Sequence, residues 1–257
     1  MGLPADTSSL TLTALPGIPL IRPGDDLTAI TLAGLARAGI RLADGDVLVV
    51  ASKVVSKAEG RLVHLSEVQV TPEAEALAPY LDKDPRLITL ILAESAEVLR
   101  TRPGLIIVEH RLGFVCANAG IDQSNVEGED VALLLPQDPD ASARRLRAGL
   151  RAATGADVAV VINDSHGRAW RLGTMGVAIG VAGMQPLTDR RGDADLFGRA
   201  MRVTVLGTAD EIAAAASLLQ GGVDEARPII HLRGVPYRRG EGSIRELLRP
   251  KEMDLFR

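Results

Sequence analysis

The sequence predicts an α+β protein with mixed sheets and helices. Short β-branched apolar runs such as 46–51 (DVLVVA) and 157–162 (DVAVVI) have the length and composition of buried strands. Alanine- and leucine-rich stretches such as 208–219 (TADEIAAAASLL) are built from strong helix formers. The two kinds of segment do not alternate strictly, which argues against a doubly wound parallel sheet.

Along the chain, residues 1–12 read as a flexible tail ahead of a single domain over 13–257. A Pro/Gly-rich loop follows at 15–26, and Asp25 or Asp26 is placed to cap a helix reaching about Ala38. The strand 46–51 comes next. Pro72–Tyr80 and Pro85–Arg100 read as helices, and Leu105–Val108 and Gly113–Ala117 as strands of a hairpin around His-Arg-Leu. A helix is predicted over Asp140–Thr154, with Arg144, Arg145, Arg147 and Arg151 on its wet side and Gly155 ending it. Strands are predicted over 157–162, Val177–Val181, Arg202–Leu206 and Pro228–Leu232. Between the last two lies the helix from Thr208, with Thr208 as its cap and Glu211 three residues on.

Composition narrows the function. Hydrophobic residues make up 46% of the 257 but aromatics only 2%, so the core must be aliphatic. A net charge of −4 and few aromatics argue against a nucleic-acid platform. Cys116 is the only cysteine, which excludes an intramolecular disulfide and fits a cytoplasmic setting. The first residues do not read as a signal peptide, and no apolar run approaches the roughly 20 residues of a membrane span.

Four polar segments interrupt this apolar pattern. Ser52–Lys57 (SKVVSK) follows a buried strand directly and holds two of the chain's four lysines. A hydroxyl and an ammonium at a strand end suit a phosphate, although the segment is no Walker loop and a solvated strand exit is the plainer reading. Asn118–Asn125 (NAGIDQSN) carries Asp122 and Asn125 three apart, either as ligand and amide donor or as an ordinary Asx-rich turn. Asn163–Arg171 (NDSHGRAWR) lies where the strand 157–162 is expected to end. It offers Asp164 and Ser165 as oxygen donors and Arg168 and Arg171 as grips for an anion, with Trp170 able to stack or simply fill space and His166 more naturally a loop residue than a base. Two carboxylates at strand ends are what a magnesium–nucleotide site requires, since phosphates and water complete the coordination. The run 173–183 has four glycines, which suit close backbone approach to a ligand or to another element. Two segments carry weaker signals: the charged loop 189–197, and Gln220–Glu225, where helix termination already accounts for the glycines.

Three stretches together resemble the coenzyme F(420):L-glutamate ligase family: GDVLVVASKVVSKAEGRLV (45–63), GFVCANAGIDQSNV (113–126) and VVINDSHGRAWRLGTMGVAIGVAGMQPLTDRRGDADLFGR (160–199). Their order and spacing match as well, so the resemblance spans about Leu15 to Gly234. It implies an α+β fold of two intertwined subdomains and a homodimer. It also implies a GTP-dependent addition of L-glutamate to the deazaflavin F(420)-0 through an acyl phosphate, then γ-linked extension, with Mg²⁺ or Mn²⁺ and an activating K⁺.

Residue by residue, the resemblance implies Asp122 and Asp164 as catalytic metal ligands, with Ser165 as a third ligand. It implies Ile18, Pro19, Leu20, Ile21, Ser52, Lys57, Asn125 and the loop Gln220, Gly221, Gly222, Val223, Asp224, Glu225 as the GTP contacts. The chain departs from the family pattern at Gly222, where some relatives place a ligand, at His166, where a larger apolar or aromatic residue is expected, and at Ala169, where proline is common. A sister ligase with another acceptor or amino acid would keep the same nucleotide and metal motifs. A non-catalytic nucleotide-binding homologue would have less use for both aspartates.

Overall fold

The computed structural model describes residues 8–125, 128 and 130–255. In chain order its elements are β1 (Thr11–Ala14), α1 (Leu27–Arg37), β2 (Val47–Ala51), α2 (Ser52–Ala58), β3 (Leu62–His64), α3 (Pro72–Leu81), α4 (Pro85–Ala93), β4 (Ser95–Arg102), β5 (Leu105–His110), β6 (Val115–Ala117), β7 (Val131–Leu133), α5 (Pro139–Thr154), β8 (Ala159–Arg168), β9 (Arg171–Ala182), β10 (Thr188–Asp189), β11 (Val205–Leu206), α6 (Thr208–Gln220) and β12 (Ile229–Arg233).

The central sheet has the order β1-β12-β2-β8-β9. Only β2 and β8 pair in parallel, with Val47 opposite Ala159 and Ala51 opposite Asn163, and every other pair in this sheet is antiparallel. That mixture is the α+β architecture expected. Apolar residues cover both faces of this sheet. Leu48, Val50, Val160 and Ile162 point to one side, into a core shared with α1, α3, α4 and α5. Val47, Val49, Val161 and Ile230 point to the other, against α6. This two-sided burial is why β2 reads as an unbroken apolar run rather than an alternating one. Residues 62–135 are threaded between the two parallel strands and carry the small sheet β4-β5-β6 and the pair β3-β7.

Several elements differ from the sequence expectation. The tail does not extend to residue 12, because β1 begins at Thr11 and pairs with β12; residues 1–7 lie outside the described residues. The helix predicted over 85–100 stops at Ala93, and 95–102 becomes the edge strand β4 on β5. Its residues Ala, Glu, Leu and Arg favour helix locally, but pairing with the buried strand β5 overrides that preference. Arg147 is not on the wet side of α5. Its guanidinium reaches the Val158 carbonyl at 2.9 Å, Asp157 at 2.6 Å and Glu241 at 2.9 Å. Thr208 does not cap α6. Gly207 occupies that place without a side-chain bond, and the Thr208 hydroxyl meets that of Thr188 at 2.7 Å. The strand ending in the 163–171 segment does not end there. It continues to Arg168 and returns as β9, so the polar motif rides on a long hairpin.

The glycine-rich run is close packing. A Cβ on Gly176 would fall 2.4 Å from the Ala213 carbonyl of α6, and one on Gly180 would fall 2.5 Å from Pro139 of α5. These glycines seat two helices on β9.

Candidate functional site

The site forms where β2 ends and β8 continues. Ser52 begins α2 directly after β2, and the parallel register brings Asp164, one residue beyond the Ala51–Asn163 pair, alongside it. The Ser52 hydroxyl donates to Asp164 Oδ1 at 2.5 Å. Residues four apart share a helix face, so Ser52 and Ser56 turn inward and are buried, while Lys53 and Lys57 share a more open face.

The polar loop 118–125 closes the other wall. Asp122 exchanges two backbone hydrogen bonds with Leu133, at 3.0 and 2.8 Å, which fixes the loop against β7. Lys53 Nζ lies 2.6 Å from Asp122 Oδ2 and donates to Ser124 Oγ at 2.8 Å. The Ser124 amide donates to Asp122 Oδ1 at 2.6 Å, so this is an Asx turn and a cleft wall at once. Ser52, Lys53, Ser56, Asp122 and Asp164 line a single cleft with Gly120 and residues 133–135. Aspartates 42 positions apart in sequence therefore face the same space.

Charge is tuned there. Burial works to raise the Asp122 pKa, but hydrogen bonds from Lys53 and Ser124 hold it below the usual carboxylate range. Burial and the neighbouring Lys53 lower Lys57, opposed by Asp122. The Cys116 thiol is pushed up to about 12 by burial and by the charge of Asp164, which leaves it unreactive.

Not every expected residue converges on the cleft. Lys57 Nζ donates to the Asn125 carbonyl at 2.7 Å, and the Asn125 amide donates to the Val223 carbonyl at 2.9 Å, so the 220–225 loop is tied to the cleft through Asn125. Gly221 (φ +73) curls this loop over Glu225, whose carboxylate accepts from the Val223 amide at 2.9 Å; Gly222 and Asp224 are exposed. Gln220 instead accepts from Asn163 at 2.5 Å and donates to Pro228 at 3.1 Å, which pins α6 to β8 and β12. Ser165 is exposed, and the strand pleat sends its side chain to the face opposite Asp164. Arg168 and Arg171 pair at the hairpin tip, about 13 Å along the strand from Asp164. In the N-terminal loop Ile21 is buried, while Pro19 and Leu20 are exposed. Gly24 docks on the C-terminal end of α2 through the Ala58 carbonyl at 2.9 Å.

The donor set fits a hard divalent cation. Asp122 and Asp164 are anionic oxygen donors on one cleft, and the Lys53 ammonium already stands where a cation would meet Asp122. Among the described residues no three His, Cys, Asp or Glu side chains gather as a ready-made cage. Two carboxylates with the balance supplied by phosphates and water is a Mg²⁺-like arrangement. Sequence reasoning passed over Lys53 as the partner of Asp122. It also took His166 for a loop residue, whereas the structure buries it beside Asp164. The scarcity of lysine in an arginine-rich chain was the available signal for Lys53. His166 had none, because its neighbour Phe114 is 52 positions away.

Fold and cleft together define an α+β protein whose polar site joins paired carboxylates to ammonium groups. The chain belongs to the F(420)-0:gamma-glutamyl ligase family, whose sequence profile matches residues 17–234. It is 46% identical over 250 residues to the coenzyme F(420):L-glutamate ligase of Methanothermobacter thermautotrophicus, covering 96% of this chain and 99% of that protein. It is also 46% identical over 241 residues to the ligase of the same name from Methanopyrus kandleri, and 45% identical over 241 residues to that from Archaeoglobus fulgidus. These cover 92% and 94% of this chain, respectively. Among the described residues no helix is long and apolar enough to cross a membrane.

Proposed function

We propose that this chain is a GTP-dependent ligase that joins L-glutamate to F(420)-0 and then extends a γ-linked tail. The observation that carries the reading is the convergence of Asp122, Asp164, Ser52 and Lys53 on one cleft in a chain of this family. The acceptor carboxylate is a poor electrophile. Attack of its oxygen on the γ-phosphorus of GTP gives an acyl phosphate and GDP. The glutamate amine then attacks the acyl carbon, an amide forms, and inorganic phosphate leaves.

In this scheme the ammonium groups of Lys53 and Lys57 offset the phosphate charge that would repel the incoming carboxylate. The Ser52 hydroxyl and the backbone around Asn125 orient the nucleotide. Asp122 and Asp164 would hold Mg²⁺ or Mn²⁺, which supplies neutralisation of the phosphate oxygens when bound; K⁺ is a further activator in this reading. Confining acceptor and amine to one cleft removes much of the entropic barrier to their meeting.

A homodimer belongs to the same reading. Trp170 and Leu172 at the hairpin tip are 87% and 99% exposed, and Leu196 and Phe197 in the following loop are 76% and 81% exposed. Large exposed apolar side chains such as these are what an association between two copies would cover. Light scattering on the purified chain should give twice the monomer mass.

The deciding experiment incubates the protein with F(420)-0, L-glutamate, GTP and Mg²⁺ or Mn²⁺ and follows the products by mass spectrometry. A product heavier by whole glutamyl units, with matching GDP, is the expected result. Nucleotide binding without any glutamylated product would overturn the assignment.

A further inference from the structure

We propose that His166 is a positioning residue that braces the Asp164 carboxylate. The inference rests on the reading of Asp164 as a cation ligand given above. The two side chains lie two residues apart on β8, so the pleat puts them on one face. His166 is 8% exposed, and its Nε2 lies 3.0 Å from Asp164 Oδ2. That nitrogen is buried and makes no hydrogen bond of acceptable geometry to any described residue, Asp164 included. Buried polar atoms require partners, and at 3.0 Å a small turn of the ring brings an Nε2 proton into line with Oδ2, the carboxylate being the acceptor.

The ring itself is clamped. Phe114 packs on His166 with centroids 5.3 Å apart at a 49° tilt, and Phe114 also stacks on His110 at 5.3 Å and 11°. His110 in turn lies 3.6 Å from Glu94, which Arg61 and Arg111 hold at 3.0 and 2.5 Å. The small sheet β4-β5-β6 is thereby tied to β8 through an aromatic stack that ends on Asp164.

With the Ser52 hydroxyl bonded to Oδ1 and the imidazole edge 3.0 Å from Oδ2, Asp164 has one polar neighbour at each oxygen. The carboxylate plane cannot rotate freely, and each oxygen keeps a lone pair for the cleft. A ligand oriented in this way binds its ion with less ordering cost, and loss of such partners weakens metal affinity about 10- to 100-fold.

The test measures Mn²⁺ binding to the full chain by electron paramagnetic resonance of free Mn²⁺, with thermal melts alongside. Four proteins are compared: wild type, Asp164→Ala, His166→Phe and His166→Gln. The Phe variant keeps a ring against Phe114 and removes the donor, whereas the Gln amide restores a donor near Nε2. Asp164→Ala should abolish Mn²⁺ binding. His166→Phe should weaken it at least about tenfold while keeping a cooperative melt, and His166→Gln should recover most of the loss. Wild-type affinity in His166→Phe, with binding lost in Asp164→Ala, would overturn the brace and leave the cation site standing. Equal losses in the Phe and Gln variants would also overturn it, since packing rather than the donor atom would then be responsible. Unchanged binding in Asp164→Ala would remove the cation site and the brace with it. Should the Phe variant not fold, His166→Met against His166→Gln reads the same contrast.

Discussion

Beside each end of the parallel pair β2–β8 stands an aspartate among cationic and polar partners, and the two are held very differently. At the end where β2 begins, Asp46 is 2% exposed and every approach to it is taken. Arg233 donates to both of its oxygens at 2.8 and 2.7 Å, the Ala43 amide donates at 2.9 Å, and His231 Nε2 stands 2.9 Å away. At the end where β2 stops, Asp122 and its lysine partner are each one-third exposed, and the partner is a flexible ammonium rather than a fixed fork. A saturated carboxylate stabilises the sheet but has nothing to offer a ligand. A carboxylate held by an exchangeable partner can release it to a cation. The same residue type is thus saturated beside one end of the strand pair and open to a ligand beside the other.

Substitutions should separate the two ends. Asp164→Ala should cost the ligase reaction several kcal/mol of transition-state stabilisation, on the order of 10³-fold in turnover, with a near-normal melt; full turnover would mean that the open end is not the reactive one. Asp46→Asn should do the reverse. It replaces a buried charged acceptor by a neutral amide, at about 2 kcal/mol of stability by denaturant unfolding, with kcat of the folded fraction unchanged.

Acid should act on stability through the buried, paired carboxylates. Burial works to raise Asp46 and Glu94, but Arg233 and His231 hold Asp46 below the ordinary carboxylate range, as His110, Arg61 and Arg111 do Glu94. A depressed folded-state pKa gives stability that is present above the unfolded value and lost as pH falls through the folded one. Wild type should therefore lose stability as pH drops below about 4, and Asp46→Asn should show a shallower acid limb in urea titrations at stepped pH. An identical limb would clear Asp46 of any part in it. The smallest effect concerns the exchangeable partner. Lys53→Met should tighten Mn²⁺ binding without nucleotide by a few-fold, because the ion no longer displaces an ammonium, while raising the KM for GTP. Weaker Mn²⁺ binding would make Lys53 a support for the cation site instead of a placeholder.

Much of the fold was readable locally. Asp26 caps α1 as its sequence position suggested, through the Thr28 and Ala29 amides, and the β2 and β12 runs are buried strands because their β-branched residues leave few alternatives. Gly155 ends α5 at φ +76, the left-handed turn that glycine adopts without strain. Where local signals and long-range pairing disagreed, pairing prevailed: the helix-favouring residues after Glu94 became β4 because β5 needed an edge partner.

The site divides along the same line. The sequence by itself determined which residue types were on offer and where they stood along the chain: a serine and lysines after one strand, and aspartates in two polar turns. Only the tertiary structure decided that Asp122 and Asp164 share a cleft, that Lys53 is the partner of Asp122, that the Ser165 side chain turns away, and that His166 is buried against Asp164. The physical reason is that spacing along a chain sets which neighbours share a face over a few residues. Convergence across 42 or 112 positions depends on strand register and on the two-sided core that holds β2 against β8.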